Sequence, residues 1–279
     1  MNLVLWTTAV TPEHYSVLRA LKQMGYDGVE LPITRGHAEK FDELGDVLES
    51  EGLECTTLTN LPPTSNPADA DPAVRARALD DLKWVVDISQ RLGSRSVAGP
   101  LYGTAGVFTG IGPTPGELAR SAEVLHAVCD YSPDTLIALE FLNRFETYMV
   151  NTTGKAKQLA RTVDAPNLRL VYDTHHAHLE ESDHAQAIHE AGSLLSELHF
   201  SESHRGTLGT GLVRWPEIVK ALGEVRFDGW VMVEAFAKDV QPLAKAAHVW
   251  RDVFTSKMNV AREGLAFTKD CFSGNGPRS

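Results

Sequence analysis

Cysteine is scarce in this 279-residue chain. The three present, Cys55, Cys129 and Cys271, form an odd, scattered set without CxxC spacing. That excludes a disulfide framework and a thiolate metal site, and it makes the reducing cytosol the simplest home. Positive charge is also short, with 26 basic residues against 37 acidic ones and a formal net charge of -11. A phosphate backbone needs a positive field, so a nucleic-acid partner is disfavoured and a small neutral or cationic ligand fits better. No apolar run is long enough to span a bilayer, so no membrane partner is expected. The opening residues, Met1 to Val10, have no basic n-region and turn polar at Thr11-Pro12-Glu13-His14, so they read as a first strand rather than a signal peptide. No linker or break in composition marks a second domain. One domain is expected over 1–279, with a C-terminal helix and a short frayed tail from Gly274 to Ser279.

Strand-like and helix-period runs alternate along nearly the whole chain, which argues for βα units and a parallel sheet. The first four strands are read at Leu3 to Thr7, Gly28 to Leu31, Glu54 to Leu58 and Ser96 to Ala98. Helices from Pro12 to Met24 and from Ala38 to Glu51 are closed by Gly25 and Gly52, and Gly93 stops a long third helix. The Gly-rich stretch from Gly99 to Pro113 reads as a loop over the strand ends, where loops usually shape a site. Later helices are expected near Glu117 to Cys129, Gly154 to Val163, from Asp183, from Trp215, over Pro242 to Phe254, and near Ala261 to Asp270. Eight strands and eight or nine helices give the α/β class and a (β/α)8 TIM barrel.

Four strand-like runs end in a polar residue: Thr135 to Leu139 at Glu140, Asn167 to Tyr172 at Asp173, Leu194 to Leu198 at His199, and Gly229 to Val233 at Glu234. A carboxylate ending an apolar strand is costly unless it is paired or bound to a cation. Parallel α/β folds place their chemistry at this end of the sheet. Oxygen ligands with one imidazole suit Mn²⁺, Mg²⁺ or Co²⁺ better than structural zinc. A short echo, Tyr26-Asp-Gly-Val-Glu30 against Phe227-Asp-Gly-Trp-Val-Met-Val-Glu234, puts a second glutamate after the same turn. Seven of the eleven histidines crowd one stretch, at His175, His176, His178, His184, His189, His199 and His204. Of these, His178, His184 and His189 read as ordinary solvated or ion-paired residues. Glu197, two residues before His199, should face the barrel interior with Arg169 as its partner. Gly206, Gly209 and Gly211 read as a turn rather than a phosphate cradle, and Arg35 and Arg144 as ion-pairing residues rather than phosphate ligands. The aromatics Phe141, Phe145, Tyr148, Trp215 and Trp230 read mostly as core, with one or two left to line a ligand pocket.

The runs LEFLNRFETYMVNT, YDTHHAHLEE, LHFSESHRGTLGTG and MVEAF closely resemble the ketose 3-epimerases of the xylose-isomerase-like TIM-barrel superfamily, and the late VWRD and AREGLAF segments are similar too. The resemblance implies that Glu140, Asp173, His199 and Glu234 hold one divalent ion, Mn²⁺ foremost and Co²⁺ or Mg²⁺ otherwise. It implies that Glu140 and Glu234 form the catalytic acid/base pair, and that Glu146, His176 and Arg205 bind the first hydroxyls and carbonyl of a free ketose. It also implies a homo-oligomer, dimer or tetramer. The same quartet would serve an aldose-ketose isomerase such as a hydroxypyruvate isomerase. A related AP endonuclease would need further ligands and a basic groove, and a non-catalytic sugar binder would not need an intact quartet.

Overall fold

Short β-branched and apolar runs between amphipathic helices produce one sheet of seven strands, all parallel and ordered as in the sequence. The computed structural model describes residues 1–36 and 38–273, so the expected tail at 274–279 lies outside the described residues. The strands are β1 (Gly28–Pro32), β2 (Glu54–Leu58), β3 (Ser96–Gly99), β4 (Leu136–Glu140), β5 (Leu168–Asp173), β6 (Leu195–Ser201) and β7 (Trp230–Glu234). The α-helices around them are α1 (Tyr15–Met24), α2 (Glu39–Glu51), α3 (Pro72–Arg91), α4 (Pro115–Tyr131), α5 (Thr153–Val163), α6 (Thr174–Glu180), α7 (His184–Ala191), α8 (Trp215–Glu224), α9 (Gln241–Ala246) and α10 (Lys257–Phe272). Helix ends follow local chemistry. Gly25 closes α1 in the left-handed region at φ 98°, and Thr114 with Glu117 forms a capping box around Pro115 at the start of α4.

The predicted first strand is not a strand. Leu3–Leu5 form a 3₁₀ turn, because the Asn2 side chain accepts from the Val4 amide and caps it while all three apolar residues are buried. Closure of the barrel falls to the two residues before that turn. Glu30 N–H donates to Met1 O at 2.9 Å, and Asn2 N–H donates to Val233 O at 3.0 Å, so β1 and β7 meet through Met1 and Asn2. Among the described residues, the eight-strand expectation is therefore corrected to seven strands and one parallel bridge, Asn2 with Glu30.

Two other boundaries differ from expectation. Pairing with β7 carries β6 on to Ser201, which aligns with Glu234, so His199 lies two residues inside the strand rather than at its tip. The helix expected over Pro242 to Phe254 stops at Ala246. Inside the barrel, below the strand ends, Ala98, Ala138 and Val171 form a small apolar cluster with Leu58 against it. The period-2 alternation of a strand then turns Glu140, Asp173 and His199, each two residues after an inward-facing position, into the same interior.

Candidate active site

The register places the polar strand ends beside one another. Asp173 pairs with His199 across β5 and β6, and Ser201 pairs with Glu234 across β6 and β7. Glu140, Asp173, His199 and Glu234 are all buried, and two of the carboxylates approach one ring nitrogen. His199 Nδ1 lies 3.1 Å from Glu140 Oε1 and 3.7 Å from Glu234 Oε1. Ligand atoms of Glu140, Asp173 and His199 fall within 4.8 Å of one another.

The residues expected to hold substrate sit directly above. Arg205, on the loop after β6, sends one guanidinium nitrogen to Glu234 Oε2 at 2.8 Å and Asp173 Oδ2 at 3.3 Å. Its other terminal nitrogen lies 3.1 Å from His176 Nε2 and 3.6 Å from Glu146 Oε1, and the guanidinium lies 4.6 Å from the centre of the Phe236 ring. Asn143 joins the group by donating from its side chain to Glu146 at 2.9 Å. The seven site residues read from the sequence thus form one cluster. All but Asp173 line a cavity of about 480 Å³, whose outer wall is built by Phe108, Phe145, Phe236 and Leu243. Of the five aromatics singled out, Phe145 lines this mouth and is exposed.

Electrostatics bear the mark of crowded, dehydrated carboxylates. Burial pushes Asp173 up to about 7 in spite of Arg205, and it raises Glu140 and Glu234 against the opposing pull of His199. Burial alone would lower His199, but the carboxylates of Glu30 and Glu140 hold it well above its ordinary value. His176 is driven well below its ordinary value by burial and by Arg205, so it is a neutral ring.

Sequence reasoning missed Glu30. This buried glutamate on β1 places Oε2 at 3.2 Å from His199 Nε2, the ring nitrogen opposite the cluster. The Tyr-Asp-Gly-Val-Glu echo was the available signal, since it set a glutamate at the end of a strand as it did Glu234. Glu197 faces the interior as expected but does not pair with Arg169. It bonds Ser96 Oγ and lies with Glu30 and His199, while Arg169 is spent on the carbonyls of Pro166 and Leu168. His184 is likewise no solvated residue: it is buried, with Nδ1 2.7 Å from Tyr172 Oη. His189 is the surface ion-pairing residue expected, at 2.9 Å from Glu224. Arg35 and Arg144 also pair as expected, with Asp81 and Glu180. The glycine triplet does form a turn, wrapped around the Glu202 carboxylate, which accepts from the amides of Ser203, Gly209 and Val213 and from Trp215 Nε1.

These donors fit a divalent cation. Among the described residues, five buried carboxylates, Glu30, Glu140, Asp173, Glu197 and Glu234, share the buried cations His199 and Arg205, and Oε2 of Glu197 has no hydrogen-bond partner. An oxygen-rich set with a single imidazole is the donor chemistry of Mg²⁺, Mn²⁺ or Co²⁺.

Comparison with known proteins agrees with this geometry. Among curated relatives, the ketose 3-epimerase of Arthrobacter globiformis is 30% identical over 273 residues, covering 96% of this chain and 94% of its own. The L-ribulose 3-epimerase of Methylomonas sp. strain DH-1 is 29% identical over 88% of this chain and 87% of its own. Among solved structures, an L-ribulose 3-epimerase superposes with a TM-score of 0.92 at 27% identity, covering 99% of this chain and 94% of that one. A D-allulose 3-epimerase from Methylomonas sp. in complex with D-allulose gives 0.91 at 26% identity, over 97% and 96%. The family described as xylose isomerase-like TIM barrel matches residues 18–271, and the chain, with its seven parallel strands and their polar ends, belongs to that family.

Proposed function

We propose that the chain is a metal-dependent ketose 3-epimerase that inverts C3 of a free ketohexose or ketopentose through an enediolate. The observation that carries this reading is His199 Nδ1 lying within 3.1 Å of Glu140 and 3.7 Å of Glu234 at the floor of the cavity, with Glu146, His176 and Arg205 packed above. Relatives named as ketose, L-ribulose and D-psicose 3-epimerases support it over most of the chain.

In this reading Glu140, Asp173, His199 and Glu234 hold one divalent ion, Mn²⁺ foremost and Co²⁺ or Mg²⁺ otherwise. Such an ion supplies the positive charge that stabilises the enediolate oxygens as they form. The chain's own residues do the rest. Arg205, neutral His176 and Glu146 orient the carbonyl and first hydroxyls. One of Glu140 and Glu234 takes the C3 proton, and the other returns a proton from the opposite face. Burial keeps both carboxyls above their ordinary range, which suits groups that must accept and release a proton.

Three buried free cysteines support a reducing, cytosolic home. We also propose a homo-oligomer, dimer or tetramer, supported by exposed Ile111, Leu212 and Trp250 and testable by light scattering.

The deciding experiment is turnover of D-fructose, D-tagatose and L-ribulose in deuterated water with Mn²⁺ and no nicotinamide cofactor. Deuterium at C3 of the inverted ketose is expected. Quantitative retention of the original C3 hydrogen sinks the two-base mechanism, and label at C1 with an aldose product assigns an isomerase instead.

A further inference from the structure

We infer that Asn2, which lies outside the metal and substrate constellation, is a positioning residue that fixes the orientation of the Glu234 carboxylate. This inference rests on the catalytic reading of Glu234 given above.

Asn2 is fully buried at the seam where β7 meets β1, and its Nδ2 donates to Glu234 Oε1 at 2.8 Å. The amide cannot be turned round. Its Oδ1 already accepts from Val4 N–H at 3.0 Å, so the group facing the carboxylate must be the NH₂ donor. The backbone of Asn2 is pinned as well, since its own N–H donates to Val233 O, next to Glu234. Main chain and side chain of one residue therefore grip consecutive residues at the end of β7.

The second oxygen of Glu234 receives Arg205 at 2.8 Å, so donors from two directions fix the carboxylate plane. Glu140 has no such clamp: its Oε1 meets His199 Nδ1 at 3.1 Å, with His176 farther off at 3.9 Å. The two carboxylates are thus held unequally. Glu234 is the one whose aim depends on an amide from the far end of the chain. A base has to stand within hydrogen-bond reach of the proton it takes, so a released carboxylate that rotates away loses rate rather than substrate affinity.

The competing reading is that Asn2 only caps the Leu3–Leu5 turn through Oδ1. Asn2→Ser separates the two roles, because a serine oxygen can still accept from the Val4 amide but is too short to reach Glu234. Asn2→Ala removes both. With the Mn²⁺-loaded enzyme, kcat for ketose epimerisation should fall about ten- to a hundredfold in both variants, with KM within roughly threefold of wild type. The metal-free proteins, titrated with Mn²⁺ by calorimetry, should bind about tenfold more weakly. Thermal unfolding should separate them, with Asn2→Ser near wild type and Asn2→Ala lower by about 2 to 4 °C. Wild-type kcat and Mn²⁺ affinity in Asn2→Ser would overturn the inference, and so would a loss that tracks melting temperature alone. If the wild-type chain epimerises no ketose, the reaction assignment falls instead, and the Mn²⁺ titration of Asn2→Ser still decides whether Asn2 orients Glu234.

Discussion

His199 is held from both sides. Nδ1 faces Glu140 and Glu234, while Nε2 faces Glu30, whose Oε1 also accepts from Thr56 Oγ1 at 3.4 Å. A carboxylate on the far nitrogen keeps the proton there and frees Nδ1 as a ligand. Glu30→Gln keeps the shape and removes the charge, so Mn²⁺ affinity should fall about ten- to a hundredfold by calorimetry, and an unchanged affinity would remove Glu30 from this role. Protons compete for the same atoms. Asp173, raised by burial from an ordinary 3.8 to about 7, is protonated below that pH, and an ion binds only the carboxylate. Mn²⁺ affinity should therefore decline as pH falls below about 7, and extra metal should move the acid limb of activity to lower pH; an acid limb indifferent to metal concentration would implicate another group. For stability the sign reverses. A carboxyl with a raised folded pKa stabilises most below its unfolded value and loses that contribution as pH climbs through the folded one. Asp173 and Glu197, the latter raised by burial and Glu30 from 4.5 to about 7, should make the metal-free protein lose stability between about pH 4 and 7. Denaturant titrations of metal-free protein across that range measure it.

At the scale of elements, the loop after β6 shows how a side chain can serve as scaffold. Arg205 sits at φ 62°, an uncommon place for a residue with a Cβ. It is kept there by its amide donating to Glu202 O and its carbonyl accepting from Phe236, while the Glu202 carboxylate ties down the loop through Val213. A second constraint lies at the end of β3. Gly99 has φ 128°, and an added Cβ would stand 2.2 Å from Thr59 O, a backbone atom that cannot move aside cheaply. Gly99→Ala should destabilise by more than about 1 kcal/mol, read as a lower denaturation midpoint at unchanged slope. Most elements were legible because local signals agreed: the β2 residues 54–58 match the expected run, and glycines at 25 and 52 stop helices where they should. What escaped was set by tertiary context. The helix α6 starts with Asp173 as its N-cap, so a residue read as a strand end also opens the next element. The extra length of β6 comes from its pairing with β7 up to Ser201, which its own sequence does not announce.

For the whole molecule, buried like charge should make stability depend on the ion. With Mn²⁺ at a hundred times its dissociation constant, stabilisation of about 2.7 kcal/mol is expected from mass action alone, visible as a melting temperature that rises with metal and falls back with a chelator. A melting temperature unmoved by either would mean that no ion binds the folded state preferentially. The barrel and its ring of polar strand ends were readable because inward alternation and strand-end placement follow from period and chain order. The contacts of Glu30 and Asn2 were not, since their partners lie at sequence distances of 169 and 232, and the echo marked Glu30 only as a strand end. The join between β7 and β1 has a further consequence. A barrel wall is only as tight as its least-stitched edge, and here Met1 and Asn2 replace a full strand ladder. Hydrogen exchange under native conditions should therefore find the Glu30 amide, bonded to Met1 O, opening ahead of amides such as Leu139 within the continuous wall. Because Asn2 also grips Glu234, each such opening slackens the carboxylate proposed as a base, so the first leak in the cylinder and the resting fraction of disarmed enzyme become one quantity, measurable by the same isotope.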